Sequence, residues 1–150
     1  PLTPGVILAD EVGLGKTIEA SLVIAQRFAE RRRRVLLIAP ASLRKQWQQE
    51  LAEKFSIPSC IIEAKAHREA RRGGRPRPFE RSGEVVISSY EFAARNADEL
   101  AAIQWDLVVF DEAHRLRNVY KTGGSQRAKE LKEALKQPFK LLLTATPLQN

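Results

Sequence analysis

The chain has no methionine, one cysteine and two histidines among its 150 residues. A lone Cys60 excludes an internal disulfide and fits a reducing compartment; beside Ile61 and Ile62 it reads as a buried thiol. With only His67 and His114 to join it, no zinc set of usual spacing can form. No apolar stretch approaches the roughly 18 residues that a membrane helix requires. The longest, such as Val35 to Ala39, are strand-sized. There is no internal repeat. The missing Met, and a start on Pro1 just before the first motif, lead to the expectation that these residues are a piece of a longer protein. The cytoplasm is the default location, and a missing leader has no weight here.

What is present is a normal core supply and an excess of cations. Apolar residues make up 43% of the chain, enough for one domain. The net charge is +7, with 16 Arg against 9 Lys. Such a balance suits phosphate backbones, and Arg suits bidentate phosphate contacts.

The most informative stretch is Ile7-Leu-Ala-Asp-Glu-Val-Gly-Leu-Gly-Lys-Thr-Ile-Glu-Ala20. An apolar run drops into a glycine turn, and an amphipathic segment follows. Gly13 and Gly15 let the backbone curl so that successive N–H groups face an anion, and the helix adds its positive dipole end. Gly13, Leu14, Gly15, Lys16 and Thr17 form the expected cofactor-binding set. Lys16 reaches the β- and γ-phosphates of ATP, and the Thr17 hydroxyl ligates Mg²⁺. Asp10 stands where the general loop pattern has glycine. The second element is Asp106-Leu-Val-Val-Phe-Asp111-Glu112-Ala113-His114, a hydrophobic strand ending in two carboxylates. Asp111 is placed to hold Mg²⁺ directly or through water, and Glu112 to orient and deprotonate the attacking water. Asp111, Glu112 and Lys16 are therefore the expected catalytic residues.

In these motifs the chain resembles the first RecA-like lobe of a superfamily 2 helicase-type ATPase of the Swi/Snf-like group. Four blocks carry the resemblance in the family's order: Ile7 to Ala20 (motif I), Leu36 to Trp47 (motif Ia), the Asp-Glu-Ala-His box from Asp111 to Asn118 (motif II), and Leu141 to Asn150 (motif III). Asp10 agrees with this group. Glu-Val-Gly in motif I and Thr-Ala-Thr in motif III resemble bacterial RNA-polymerase-recycling members. The resemblance implies a RecA-like P-loop NTPase fold, with a mainly parallel sheet and helices on both faces. It also implies a second lobe that donates an arginine to the transferring phosphate; without it, residues 1–150 alone should bind nucleotide weakly and barely turn it over. His114, Thr144, Thr146 and Gln149 are implied as coupling residues between the nucleotide and the nucleic acid. The turn at Pro40-Ala41-Ser42, with Ser42, Arg44 and Lys45, is implied to face the backbone of bound duplex. Trp47 reads as packing.

The implied activity is an ATP-driven translocase on double-stranded DNA, with RNA possible, that remodels or displaces a bound protein such as RNA polymerase. A bacterial, nucleoid-associated location follows. Two rivals stay open. A strand-unwinding helicase, or the motor of a restriction or phage-defence complex, would reveal itself by unwinding or by fused domains. A non-catalytic lobe that only binds nucleotide or a partner has no chemical need for Lys16, Thr17, Asp111 and Glu112 together.

Alternating elements are expected along the chain. Strands are predicted over Gly5 to Ala9, Val35 to Ala39, Cys60 to Glu63, Val85 to Ser88, Leu107 to Asp111 and Phe139 to Thr144. Helices are predicted from Lys16 to Glu30, from an N-cap at Ser42 to Phe55, and from Ser125 to Gln137. The run Arg31 to Arg34 reads as a solvated helix end that offsets the dipole. The basic stretch Lys65 to Arg81 has a single aromatic, Phe79, so base stacking is not its business. It reads as a surface insertion between strands or as a phosphate-tracking loop, with His67 solvated in it. A face normally covered by the second lobe is expected to be exposed.

Overall fold

In the computed structural model, residues 5–9, 13–116 and 125–144 are described. Six strands form one all-parallel sheet: β1 (Gly5–Ala9), β2 (Arg34–Ile38), β3 (Ser59–Ile61), β4 (Glu84–Ser88), β5 (Leu107–Phe110) and β6 (Lys140–Thr144). Their order across the sheet is β1-β6-β5-β2-β4-β3. The intervening helices are α1 (Gly13–Ala29), α2 (Arg44–Phe55), α3 (Ala64–Arg72), α4 (Tyr90–Arg95), α5 (Ala97–Ala101) and α6 (Ser125–Ala134). Among the described residues, no helix is long and apolar enough to cross a membrane.

The near-continuous apolar runs of β2, β4 and β5 have a plain cause: these strands are buried on both faces. Alternate residues serve opposite layers. Val35, Leu37, Val85, Ile87, Leu107, Val109, Leu141 and Leu143 meet Ala20 and Ile24 of α1 and Trp47 and Leu51 of α2. Leu36, Ile38, Val86, Val108 and Phe110 meet α4, α5 and α6 on the other side, with Tyr90, Leu100 and Leu131 at the centre. The RecA-like α/β architecture read from the sequence is the one observed.

Several local readings need correction. The basic stretch from 65 to 81 is not a plain loop, because Ala64–Arg72 forms α3. His67 is not solvated: its Nε2 lies 2.7 Å from Glu99 Oε1, and its ring clusters with those of Phe79 and Phe92, which also touch each other. Phe79 is itself fully buried, and its N–H donates to Glu99 Oε2 at 2.8 Å. An apolar anchor thus draws this basic segment onto the domain, and the imidazole is buried with it. Cys60 is only partly buried. Ser42 does not cap α2; it lies in a 3-10 turn (Ala41–Leu43), and Leu43 precedes the helix without a side-chain cap. Helices α4 and α5 were not anticipated. Of the Arg31–Arg34 run, Arg33 behaves as a helix end should, its Nε donating to the Phe28 carbonyl at 3.1 Å, whereas Arg34 opens β2 and pairs with Glu80 at 3.4 Å.

Candidate nucleotide site at the carboxyl edge of the sheet

In an open parallel sheet, ligands sit beyond the carboxyl ends of the strands, where the loops to the following helices converge. The first such loop leads from β1 into α1. The helix begins at Gly13, three residues earlier than expected, so Gly13, Leu14 and Gly15 form its first turn rather than a preceding loop. First-turn N–H groups have no intrahelical acceptor, and this start leaves them for an anion. Residues 10–12, with Asp10, lie outside the described residues. Lys16 is buried and Thr17 half-buried.

The end of β5 carries the acidic pair. The Asp111 N–H donates to Ile38 O at 2.8 Å, which continues the β2–β5 pairing by one residue and points the chain at the edge. The Asp111 side chain is buried at 8% exposure. Its Oδ2 accepts the indole N–H of Trp47 at 2.7 Å, and its Oδ1 accepts the Glu112 N–H at 2.9 Å. Burial pushes the Asp111 carboxyl above its usual range, and the neighbouring Glu112 charge adds to this. The Trp47 hydrogen bond, the Lys16 ammonium and the Glu112 N–H pull it back down. A carboxylate that is costly to bury ionised, with one ammonium beside it, is suited to receive a divalent cation.

Glu112 has φ +54°, a left-handed conformation rare for a residue with a side chain. Its Oε1 lies 3.6 Å from His114 Nε2, and both side chains reach solvent. Tyr90, which opens α4, donates its hydroxyl to the Asp111 carbonyl at 2.6 Å. The Ala113 N–H then donates to Leu143 O at 2.8 Å, which binds the acidic turn to the end of β6. Thr144, the next residue, is fully buried. Thr146 and Gln149 lie outside the described residues.

The motif Ia residues occupy a neighbouring groove of about 560 Å³, lined by Ser42, Arg44, Lys45, Ile61, Glu63 and Lys65 among others. Ser42 and Lys45 are exposed. Arg44 donates to Ala41 O at 3.1 Å and approaches Glu63 at 3.8 Å.

Two residues of the site were missed by the sequence reading. From sequence, Trp47 reads as packing alone, and nothing singles out Tyr90. A buried indole or phenol must find an acceptor. That rule was the available signal for Trp47, since motif Ia points its helix back under the same edge.

A glycine turn entering a helix, an acidic pair ending the neighbouring strand but one, and an all-parallel sheet define a RecA-like nucleotide-binding lobe. Comparison with known proteins narrows the class: the family model described as "SNF2-related domain" matches residues 2–150, and the chain belongs to that family. It is 42% identical over 152 residues to the RNA polymerase-associated protein RapA of Serratia proteamaculans, covering 97% of this chain and 15% of that protein. The RapA of Erwinia tasmaniensis is 40% identical over the same length and coverage. Among solved structures, the Sulfolobus solfataricus SWI2/SNF2 ATPase core in complex with dsDNA superimposes with a TM-score of 0.70 at 26% identity, covering 95% of this chain and 28% of that one. The chain therefore spans about 15% of the length of these RapA relatives. The likeness to RNA polymerase-associated proteins agrees with the subgroup read from Glu-Val-Gly and Thr-Ala-Thr.

Proposed function

We propose that this chain is the ATP-binding lobe of a motor that hydrolyses ATP on double-stranded DNA, moves along the duplex and displaces bound protein. The observation that carries the reading is the buried Asp111 carboxylate at the β5 end, held by two donors and lying in the field of Lys16. The first turn of α1 and Lys16 bind the phosphates. Thr17 and Asp111 have the oxygen donors that Mg²⁺ prefers, few enough to leave room for phosphate oxygens and water. When bound, Mg²⁺ neutralises charge on the phosphates. Glu112 Oε1 accepts the proton of the attacking water. His114, beside Glu112, and Thr144, Thr146 and Gln149 relay the state of this site to the nucleic acid.

A second RecA-like lobe outside residues 1–150 completes the site with an arginine, a contribution worth about 10³ to 10⁵ in rate. Ile18 and Leu22, one helical turn apart on α1, are 46% and 55% exposed, as a face awaiting such a lobe would be. Ser42, Arg44 and Lys45 hold the duplex by its phosphates, which positions without reading sequence. The names of the relatives support double-stranded DNA and RNA polymerase as partners; displacement of that polymerase, in the bacterial cytoplasm at the nucleoid, is part of the same proposal.

The test is steady-state ATP hydrolysis by the full-length parent, without nucleic acid and with duplex DNA, single-stranded DNA or RNA. Stimulation by duplex DNA that is lost in Lys16→Ala is expected. Bound nucleotide without stimulation by any of them would favour a switch or scaffold lobe, and RNA-selective stimulation would change the track. Brisk, Lys16-dependent hydrolysis by residues 1–150 alone would remove the need for a second lobe.

A further inference from the structure

Trp47 is only 3% exposed, as packing requires, yet its indole N–H ends on the carboxylate of the acidic turn at 2.7 Å. The opposite oxygen takes the Glu112 N–H. Donors on both oxygens fix the rotation of the carboxylate and leave each oxygen a second lone pair. An indole is well chosen for this place. It donates only and is uncharged, so it orients Asp111 without neutralising it. Lys16, the nearby cation, is drawn to phosphate instead, so it is no fixed support.

The element that holds the indole matters as much. Helix α2 is seated on the sheet by Trp47 and Leu51 and starts at Arg44 and Lys45, beside the groove described above. Any shift of α2 must move the indole against Asp111 or carry the carboxylate with it. Resting on the nucleotide-site reading above, we propose that Trp47 is a positioning residue for Asp111: its indole N–H holds the carboxylate in the orientation that receives Mg²⁺, and makes α2 part of the nucleotide site.

Two measurements on the chain test this. The protein has two tryptophans, so it gives two indole N–H resonances; Trp105, which donates to Leu100 O, serves as the internal reference. Addition of Mg²⁺ with ADP should shift the Trp47 resonance and leave that of Trp105 in place. Asp111→Asn should shift the same resonance without ligand. Trp47→Phe keeps a ring and removes the donor. It should raise the Mg²⁺ concentration for half-maximal ADP binding about tenfold, the scale of one hydrogen bond to a charged group. Binding of ADP without Mg²⁺ should change by less than about twofold.

ADP binding with a stationary Trp47 resonance, or with wild-type Mg²⁺ dependence in Trp47→Phe, would overturn this inference alone. No ADP binding by the unmutated chain would overturn it together with the reading beneath it. If Trp47→Phe does not fold, the resonance shifts in the unmutated chain and in Asp111→Asn decide.

Discussion

Tyr90→Phe removes one oxygen from a fully enclosed side chain and tests how the acidic turn is held. The Tyr90 ring packs beside Phe110 with centroids 6.3 Å apart, and the substitution leaves that packing in place. Its hydroxyl reaches the Asp111 carbonyl at 2.6 Å. Burial pushes the Tyr90 phenol well above its ordinary range, so it remains a donor throughout neutral and mildly alkaline pH. A buried carbonyl left without a partner costs about 1–3 kcal/mol. For a domain of this size, each kcal/mol lowers Tm by about 2–4 °C. The expected loss is thus about 2–12 °C, measured by thermal unfolding, with a matching fall in urea midpoint. A second consequence concerns Glu112, whose left-handed backbone is worth about 1–2 kcal/mol of strain. The Tyr90 bond pins the peptide that leads into it. Without the bond that peptide relaxes and Glu112 moves, so turnover in the full motor should fall more than nucleotide affinity. An unchanged urea midpoint would refute the first step. Lost stability with unchanged turnover would refute the second.

Four further outcomes are expected. Glu112→Gln should retain nucleotide but lose turnover in the full motor; unchanged turnover in steady-state assays would remove Glu112 as the base. Glu99 serves both His67 and the Phe79 N–H, so Glu99→Ala should cost about 2–4 kcal/mol in urea unfolding, and a loss below about 0.5 kcal/mol would contradict the buried pair. Burial pushes the Cys60 thiol from 9.0 up to about 11, so alkylation by iodoacetamide near neutral pH should be much slower than for a free thiol. The sign for stability follows: the unfolded thiol ionises first, so stability is full below 9.0 and falls as pH rises towards about 11. Cys60→Ala should flatten that fall in urea midpoints. Arg68, Arg71 and Arg72 of α3 make no ion pair among the described residues. If the phosphate-tracking reading of this segment holds, changing all three to Glu should weaken duplex binding and flatten its salt dependence by about 2.7 in log–log slope; an unchanged slope would leave α3 a solvated face.

Most of the sheet was legible because parallel strands buried on both faces leave unbroken apolar runs such as Val35 to Ala39, and the punctuation around them is strong. Legibility failed where long-range partners decide the outcome. Nothing adjacent to His67 says that Glu99 will meet it, so a histidine among arginines reads as solvated. Helices α4 and α5 are too short for periodicity to reveal. In α4, the Ser89 hydroxyl accepts the Phe92 N–H at 3.1 Å, a cap that could have been read from Ser-Tyr-Glu-Phe. Within the candidate site, the glycine turn and Asp111-Glu112 are local patterns, legible in the sequence alone. Trp47 and Tyr90 act on Asp111 across 64 and 21 residues of chain, and such supports become visible only when the strands are placed.

The strand order supplies the part of the logic that chain order conceals. Motifs I, Ia, II and III follow one another in sequence, after β1, β2, β5 and β6. Across the sheet those strands run β1-β6-β5-β2. The spatial order at the carboxyl edge is therefore I, III, II, Ia. The end of β6 lies between the glycine turn and the acidic pair, and the Ala113 N–H to Leu143 O bond joins it directly to the latter. On the other flank, the Asp111 N–H to Ile38 O bond joins the acidic pair to the strand that feeds α2. A displacement at Asp111 is thus transmitted to both neighbours by backbone hydrogen bonds and to α2 by the Trp47 indole as well. Under the proposed function, coupling between nucleotide and nucleic acid then needs no long pathway, only adjacent strand ends that share one edge.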